Sequence, residues 1–212
     1  MIKNLLLLPH KGNRKHHIYR RPFFDITAVF IISFGIRLFN LLDSLDNPFI
    51  NTPVVDMAEN WKNAETILEG NLSYEKVFWK PPLYIYVVAL IRLFTGKSML
   101  VFLVIQNIIG ACNCVLLYLL VKRLFNHYTA LIAALMMSFY GPFLFFDTTI
   151  LSTTLSTFLS LSLLLSLTLL KEHQDNRLFI IPGLLAGLSV VTHQIIIIFC
   201  ILIPILIWRW SS

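Results

Sequence analysis

The chain has 212 residues, 57% of them hydrophobic and only 13% charged, with a mean hydropathy of +0.76. A water-soluble domain of this length needs more polar surface, and the apolar residues stand in blocks close to the ~20 residues that cross a bilayer. The net charge of +6 does not point to nucleic acid. Lys3, Lys11, Arg14, Lys15, Arg20 and Arg21 all precede the first apolar block, the pattern of a cytoplasmic N-terminus, without the interleaved aromatics that stack bases.

In chain order, the Leu5–Leu8 run is too short for the core of a signal peptide and no small-residue cleavage site follows it. Residues 1–25 therefore read as a basic cytoplasmic segment and 26–212 as one transmembrane module. Candidate spans are Ile26–Leu42, which retains Arg37, then Met99–Val121, Tyr128–Phe146 and Ile150–Leu170. Leu178–Trp208 is too long for one helix and too short for two full spans. It reads as two short helices with a turn near Thr192-His193-Gln194.

The loop 43–98 is of another kind. Seven of the 11 acidic residues fall within Asp43–Glu75, and the loop closes on Phe78-Trp79-Lys80-Pro81-Pro82-Leu83-Tyr84-Ile85-Tyr86. In Met57–Glu69, the residues Ala58, Trp61, Ala64, Ile67 and Leu68 recur at helical spacing, and Gly70-Asn71 stops the pattern. Pro81–Gly96 opens on two prolines, ends at a glycine and has its apolar face interrupted by Arg92. Its 13 residues from Pro82 to Phe94 would cover about 20 Å against a hydrocarbon core of about 30 Å. Both segments read as helices lying in the interface.

Charge distribution supports that choice. With Pro81–Gly96 in the plane, Lys122-Arg123, Lys171, Arg177 and Arg209 join the basic N-terminus on the cytoplasmic side, 11 of the 17 basic residues in all. If the segment crossed, Lys122-Arg123, Lys171 and Arg177 would lie outside, against the positive-inside rule. Asp56, Lys80, Asp147 and His193 then share the extracytoplasmic face.

Each of these residues has a structural reading beside a functional one. Asp56-Met-Ala-Glu59 fits a capping box with Asp56 as N-cap, and a capping carboxylate can still act as a base. Lys80 is either a snorkelling interfacial lysine or a point charge for a lipid phosphate held by the stiff Pro81-Pro82 pair. Asp147 reads as an N-cap of the following helix, as a loop acid or as a functional group, since an ionisable side chain near the bilayer core is costly. Arg37 reads first as a snorkelling side chain and second as a phosphate ligand. His193 reads as a solvated turn residue before a ligand or base. Glu59, Asp43 and Asp46 read as solvated or capping acids, and Trp61, Trp79, Tyr84 and Tyr86 as headgroup-depth aromatics. Cys112, Cys114 and Cys200 are an odd count within apolar segments, which argues against a disulfide framework or zinc. No metal-spaced histidine pair, phosphate-cradling glycine loop or nucleophile elbow is present. The residues thus define a polytopic membrane protein with a polar site at the lipid boundary, and they name no reaction.

The order of motifs resembles a known family. It runs Gly35-Ile-Arg37-Leu, Pro53-Val-Val-Asp56, Asn60-Trp61, Glu69-Gly70-Asn and Val77-Phe-Trp-Lys80-Pro-Pro-Leu-Tyr84. Gln106-Asn-Ile-Ile-Gly110, Tyr118-Leu-Leu-Val-Lys-Arg123, Tyr140-Gly-Pro142 and Gly183-Leu-Leu-Ala-Gly187 before Thr192 follow. This is similar to the N-terminal part of the GT-C fold glycosyltransferases of the protein-mannosyltransferase-like family (family 39). The resemblance implies an all-α, polytopic GT-C-like bundle in the plasma (inner) membrane, and a reaction that takes a sugar from a polyprenyl-phosphate co-substrate. It implies catalytic roles for Asp56 and Asp147, with Asp147 helping to shape the site. Lys80 and Arg37 would lie on the donor phosphate, and Glu59, Trp61, Tyr84 and His193 would position substrate. The family commonly carries Tyr or His where this chain has Asn60-Trp61, and often an arginine where it has His193. No resident cofactor or metal ligand is implied, a divalent cation is left open, and the acceptor is not identified. Partners are the lipid-linked donor and membrane lipids, not nucleic acid. Relatives continue through further spans, so a partner subunit supplying them is compatible with this length. The alternative is a non-catalytic subunit that binds or transports polyprenyl phosphate, or an inactive truncated homologue.

Overall fold

The computed structural model describes residues 22–46, 54–71, 82–173 and 179–201, and every regular element among them is helical. Helix α1 (Pro22–Asp43) opens on a proline, which suits a first turn where an N–H would have no partner. It runs into a 3₁₀ turn, Ser44–Asp46. Two short helices follow, α2 (Asp56–Leu68) and α3 (Leu83–Thr95). Gly70 (φ 100°) and Gly96 (φ 65°) stand just past their ends, in backbone conformations that favour glycine. Helix α4 (Met99–Leu124) is the longest, at 26 residues or about 39 Å. Ser98 caps it and Asn126 caps α5 (His127–Phe139), each side chain accepting a first-turn N–H. The chain continues through α6 (Gly141–Asp147), α7 (Thr153–His173) and α8 (Ile180–Thr192).

Three stretches are long and apolar enough to cross a membrane: Phe23–Asp46, Met99–Leu124 and Thr153–Leu170. The bent pair α5–α6 makes a fourth when counted as one span. Only 28% of the α1 window is buried, and Ile31, Ile32 and Phe39 are exposed. Apolar surface on that scale takes lipid as its solvent. The chain is an all-α integral membrane protein.

Helix α4 is the axis, with α1, α5 and α7 packed around it and α8 against α7. Leu41 at the end of α1 and Phe102 and Leu103 at the start of α4 share one core cluster with Ala64, Ile67, Tyr84, Ile85, Val88 and Ala89. The α2–α3 pair therefore closes that end of the bundle. Val29, Cys114, Tyr118, Ala130 and Ala134 form the core towards the other end, so α1 and α4 run antiparallel.

Several expectations are corrected here. Tyr128–Phe146 is not one straight span, because α5 and α6 are bent by 59° around Tyr140. Pro142 lies in the first turn of α6, has no N–H to donate and would clash with the carbonyl four residues back. The capping box does not form: Val55 holds the N-cap position and Asp56 is the first helical residue, one place too late. Arg92 does not break the apolar face of α3 towards water. It is 3% exposed, donates from Nη1 to the Trp61 carbonyl at 2.6 Å and stacks its guanidinium 4.1 Å from the Trp61 ring centroid. This cation–π and hydrogen-bond staple joins α3 to α2. The turn after Thr192 stands where it was expected, and helical backbone resumes at 196–201. Lys80 and Trp79 lie outside the described residues.

Candidate active site

A cleft of about 260 Å³ opens where α2, α3, the α6–α7 connection and the end of α8 converge. Asp56 and Asn60, one turn apart on α2, line one side; Tyr84 of α3, Leu151, Ser152 and Thr192–Ile195 complete it. The spacing of i and i+4 puts Asp56 and Asn60 on the same helix face. Asp56 sits in the first turn of α2, where the positive end of the helix dipole stabilises a carboxylate. Asn60 is buried and donates from Nδ2 to the Ile150 carbonyl at 2.9 Å, tying α2 to the connection opposite.

The wall behind the cleft is set by a polar row on α4. Gln106, Gly110 and Asn113 follow the i, i+4, i+7 spacing of one helix face, and Asn107 stands beside them. Gln106 Nε2 gathers the carbonyls of Phe146 (3.0 Å), Asp147 (3.3 Å) and Thr149. Asn107 Nδ2 donates to the Asp147 carbonyl at 3.2 Å and Asn113 Nδ2 to the Thr154 carbonyl at 3.1 Å. Backbone that leaves a helix inside a bundle needs such partners, because lipid offers none. Tyr84 connects this row to the cleft, its hydroxyl donating to Gln106 Oε1 at 2.9 Å. Burial pushes the Tyr84 phenol well above the usual tyrosine range, which keeps it a donor.

Arg37 and Asp147 meet behind the same wall. Arg37 Nε donates to Asp147 Oδ2 at 2.8 Å, with side-chain exposures of 0% and 3%. Thr154 Oγ1 donates to the other carboxylate oxygen at 2.7 Å, and Arg37 Nη1 reaches the Ser33 carbonyl at 3.2 Å. A snorkelling arginine is thereby excluded, as is a loop or capping aspartate: Asp147 is the last residue of α6 and α7 begins only at Thr153. Neither Arg37 nor Asp147 is in the cleft lining.

Of the residues singled out from sequence, the cleft brings together Asp56, Tyr84 and His193. His193 is the C-cap residue of α8, its N–H bonded to the Ser189 carbonyl at 2.8 Å, and its side chain is exposed. Glu59 is exposed on α2 and is not part of the lining. Trp61 is not a freely placed headgroup aromatic. It packs edge-on against Phe102 at 5.8 Å between centroids, beneath Arg92. Outside the cleft, hydrogen bonding to Lys97 and the charge of Arg92 hold the Glu65 carboxyl below its usual range. Asn60, Gln106, Asn107, Gly110 and Thr154 carry the architecture of the site without having been singled out individually. The signal was available in part, since polar side chains at helical spacing inside an apolar span demand partners. Among the described residues, no three His, Cys, Asp or Glu side chains stand together as a metal site would need.

A bundle of apolar spans, two short helices closing one end and a polar cleft beneath them define an integral membrane protein with a polar site at one end of its bundle. The family described as dolichyl-phosphate-mannose-protein mannosyltransferase matches residues 79–212, and the chain belongs to that family. The matched stretch includes Tyr84, the polar row of α4, the α6–α7 connection and His193, and begins after Asp56 and Asn60. No curated protein and no solved structure matches the chain.

Proposed function

We propose that the protein transfers a sugar from a polyprenyl-phosphate donor to an acceptor hydroxyl on the extracytoplasmic face of the plasma membrane. Asp56 is the general base: it takes the hydroxyl proton as the acceptor oxygen attacks the anomeric carbon. The bond from that carbon to the phosphate oxygen breaks, and the lipid phosphate leaves with the electron pair. Lys80 offsets the charge that builds on the departing phosphate. The interfacial helices α2 and α3 hold the headgroup at the depth of the cleft. In this reading the basic segment 1–25 is cytoplasmic, and Arg37 and Asp147 shape the wall of the site instead of touching the donor.

The observation that carries the proposal is the cleft itself, which puts Asp56 in one lining with Asn60, Tyr84, Ser152 and His193 at the end of the bundle closed by α2 and α3. Its volume of about 260 Å³ suits one headgroup more than an extended chain. The test is sugar transfer from a radiolabelled polyprenyl-phosphate sugar by purified protein in liposomes. Asp56→Asn should abolish transfer while leaving expression and thermal unfolding intact. Full activity in that variant removes the base role, and donor binding without turnover in the unaltered protein favours the non-catalytic lipid-phosphate subunit.

A further inference from the structure

We propose that Asn60 selects the transferred sugar: its side-chain oxygen accepts a hydrogen bond from one sugar hydroxyl remote from the anomeric carbon, and the protein requires that hydroxyl to be free. This rests on the reading of the cleft as the donor site and adds the atom that does the selecting. Asn60 lines the cleft yet is only 5% exposed. Its amide can stand only one way round. Nδ2 lies 2.9 Å from the Ile150 carbonyl oxygen, where the amide oxygen would be repelled, since both oxygens only accept. The Ile150 carbonyl is itself held, because the Thr149 carbonyl beside it accepts from the Leu151 N–H at 2.8 Å and from Gln106 Nε2. Oδ1 is therefore the end of the amide left for a ligand. It accepts no hydrogen bond from any described residue, and it is not sealed from solvent.

Two other lining residues share this bias. Tyr84 gives its hydroxyl hydrogen to Gln106 at 2.9 Å, and Thr192 gives its own to the Leu188 carbonyl at 2.8 Å. These side chains offer a ligand oxygen lone pairs and need hydrogens from it. The phosphodiester of the donor has only acceptor oxygens, so it does not belong at Asn60. A sugar hydroxyl does, and it brings no charge into a buried corner. Asp56 and Asn60 are one turn apart, about 6 Å along α2, and Asp56 is the exposed member of the two. That spacing is comparable to the breadth of a pyranose ring with its hydroxyls. With the anomeric carbon at the level of Asp56, the hydroxyls that reach Asn60 are those across the ring. Once a sugar fills the cleft and expels water, an unmatched Oδ1 becomes a buried acceptor without a partner, which makes a missing hydroxyl costly.

The experiment compares a polyprenyl-phosphate hexose with its monodeoxy analogues, one for each non-anomeric hydroxyl, as donors for the full chain in phosphatidylcholine liposomes. In the unaltered protein one analogue should lose about ten- to hundredfold in kcat/KM beyond the others. Asn60→Ala should bring the parent donor and that analogue to the same kcat/KM. A merely structural role for the Asn60–Ile150 bond would instead slow every donor in proportion. Proportional loss, or equal rates for all the analogues in the unaltered protein, overturns the inference. Should Asn60→Ala not fold, Asn60→Leu, closer in volume to asparagine, supplies the same comparison. The ratio is also read without turnover, from equilibrium binding of the radiolabelled donors to the Asp56→Asn protein in the same liposomes. Binding that keeps the ratio while the unaltered protein transfers nothing strikes the base role alone. Binding that ignores the missing hydroxyl strikes the role of Asn60 alone.

Discussion

Arg37 and Asp147 lie 110 residues apart in the chain and meet at 2.8 Å inside the bundle, with Gly110 of α4 directly against them. A Cβ at position 110 would fall 2.6 Å from Asp147 Cγ and 2.7 Å from Arg37 Nε. Neither side chain has slack, since the carboxylate also accepts from Thr154 and the guanidinium donates to Ser33. The pair fixes α1 to the end of α6, and α6 leads into the connection that lines the cleft.

Gly110→Ala should therefore be far worse than its one added methyl suggests. Forcing apart a buried, hydrogen-bonded ion pair costs about 3–5 kcal/mol. Gly35→Ala on α1, where a Cβ meets nothing within 4 Å, is the matched control and should be neutral or slightly stabilising. Thermal unfolding of both variants in detergent checks this; equal midpoints would show that α4 can shift away from the pair.

A double-mutant cycle on the pair should be strongly non-additive. Arg37→Met or Asp147→Leu alone leaves an uncompensated buried charge, at about 3–5 kcal/mol each, while the double variant should be much closer to the unaltered protein. Denaturation midpoints of the four proteins supply the coupling energy. Additive losses would mean that the two charges do not stabilise each other.

Much of the scaffold was legible in the chain, for local reasons. The four apolar blocks became α1, α4, the α5–α6 pair and α7, and the helical spacing in 57–69 became α2. Gly70, Gly96 and the break after Thr192 mark the ends they were expected to mark. Long-range pairing was not legible. Nothing in the neighbourhood of Arg37 announces Asp147, and an arginine near a span end looks the same whether it snorkels or pairs. Arg92 misled for a related reason, since its partner ring, Trp61, belongs to another helix. The bend at Tyr140 was readable from Pro142, but the hydrophobic run 128–146 masked it. At the site, Asp56, Tyr84 and His193 were named from the sequence. Asn60 and Gln106, which fix the walls, stood there only as parts of motifs and without a role, because an amide reveals its role only once its carbonyl partners are in place.

Tyr84 offers a test of those walls and a pH signature. Removing its hydroxyl leaves Gln106 Oε1 without its donor at 2.9 Å, so Tyr84→Phe should cost about 1–3 kcal/mol. Burial raises the phenol's folded-state pKa well above the usual tyrosine value of about 10. The stability it contributes is thus complete below about pH 10 and lost as pH rises from there towards the folded value. The stability gap between the unaltered protein and Tyr84→Phe should hold from neutrality to about pH 9 and narrow above about pH 10. A gap that stays constant through that range would place the hydroxyl in contact with water.

Orientation is the last point to be tested, and it bears on every role proposed for the cleft. α2 packs where α1 ends and α4 begins, whereas Arg123 is one residue from the other end of α4. The 26 residues of α4 cover about 39 Å, more than the hydrocarbon core of about 30 Å. Single cysteines placed at Asp56 and at Arg123, in a background lacking Cys112, Cys114 and Cys200, should therefore label from opposite sides with an impermeant maleimide. The positive-inside distribution predicts external labelling at 56 and internal labelling at 123. Labelling of both from the same side would mean that α4 does not cross. The reverse assignment would put Asp56 in the cytosol, away from a donor presented on the outer leaflet.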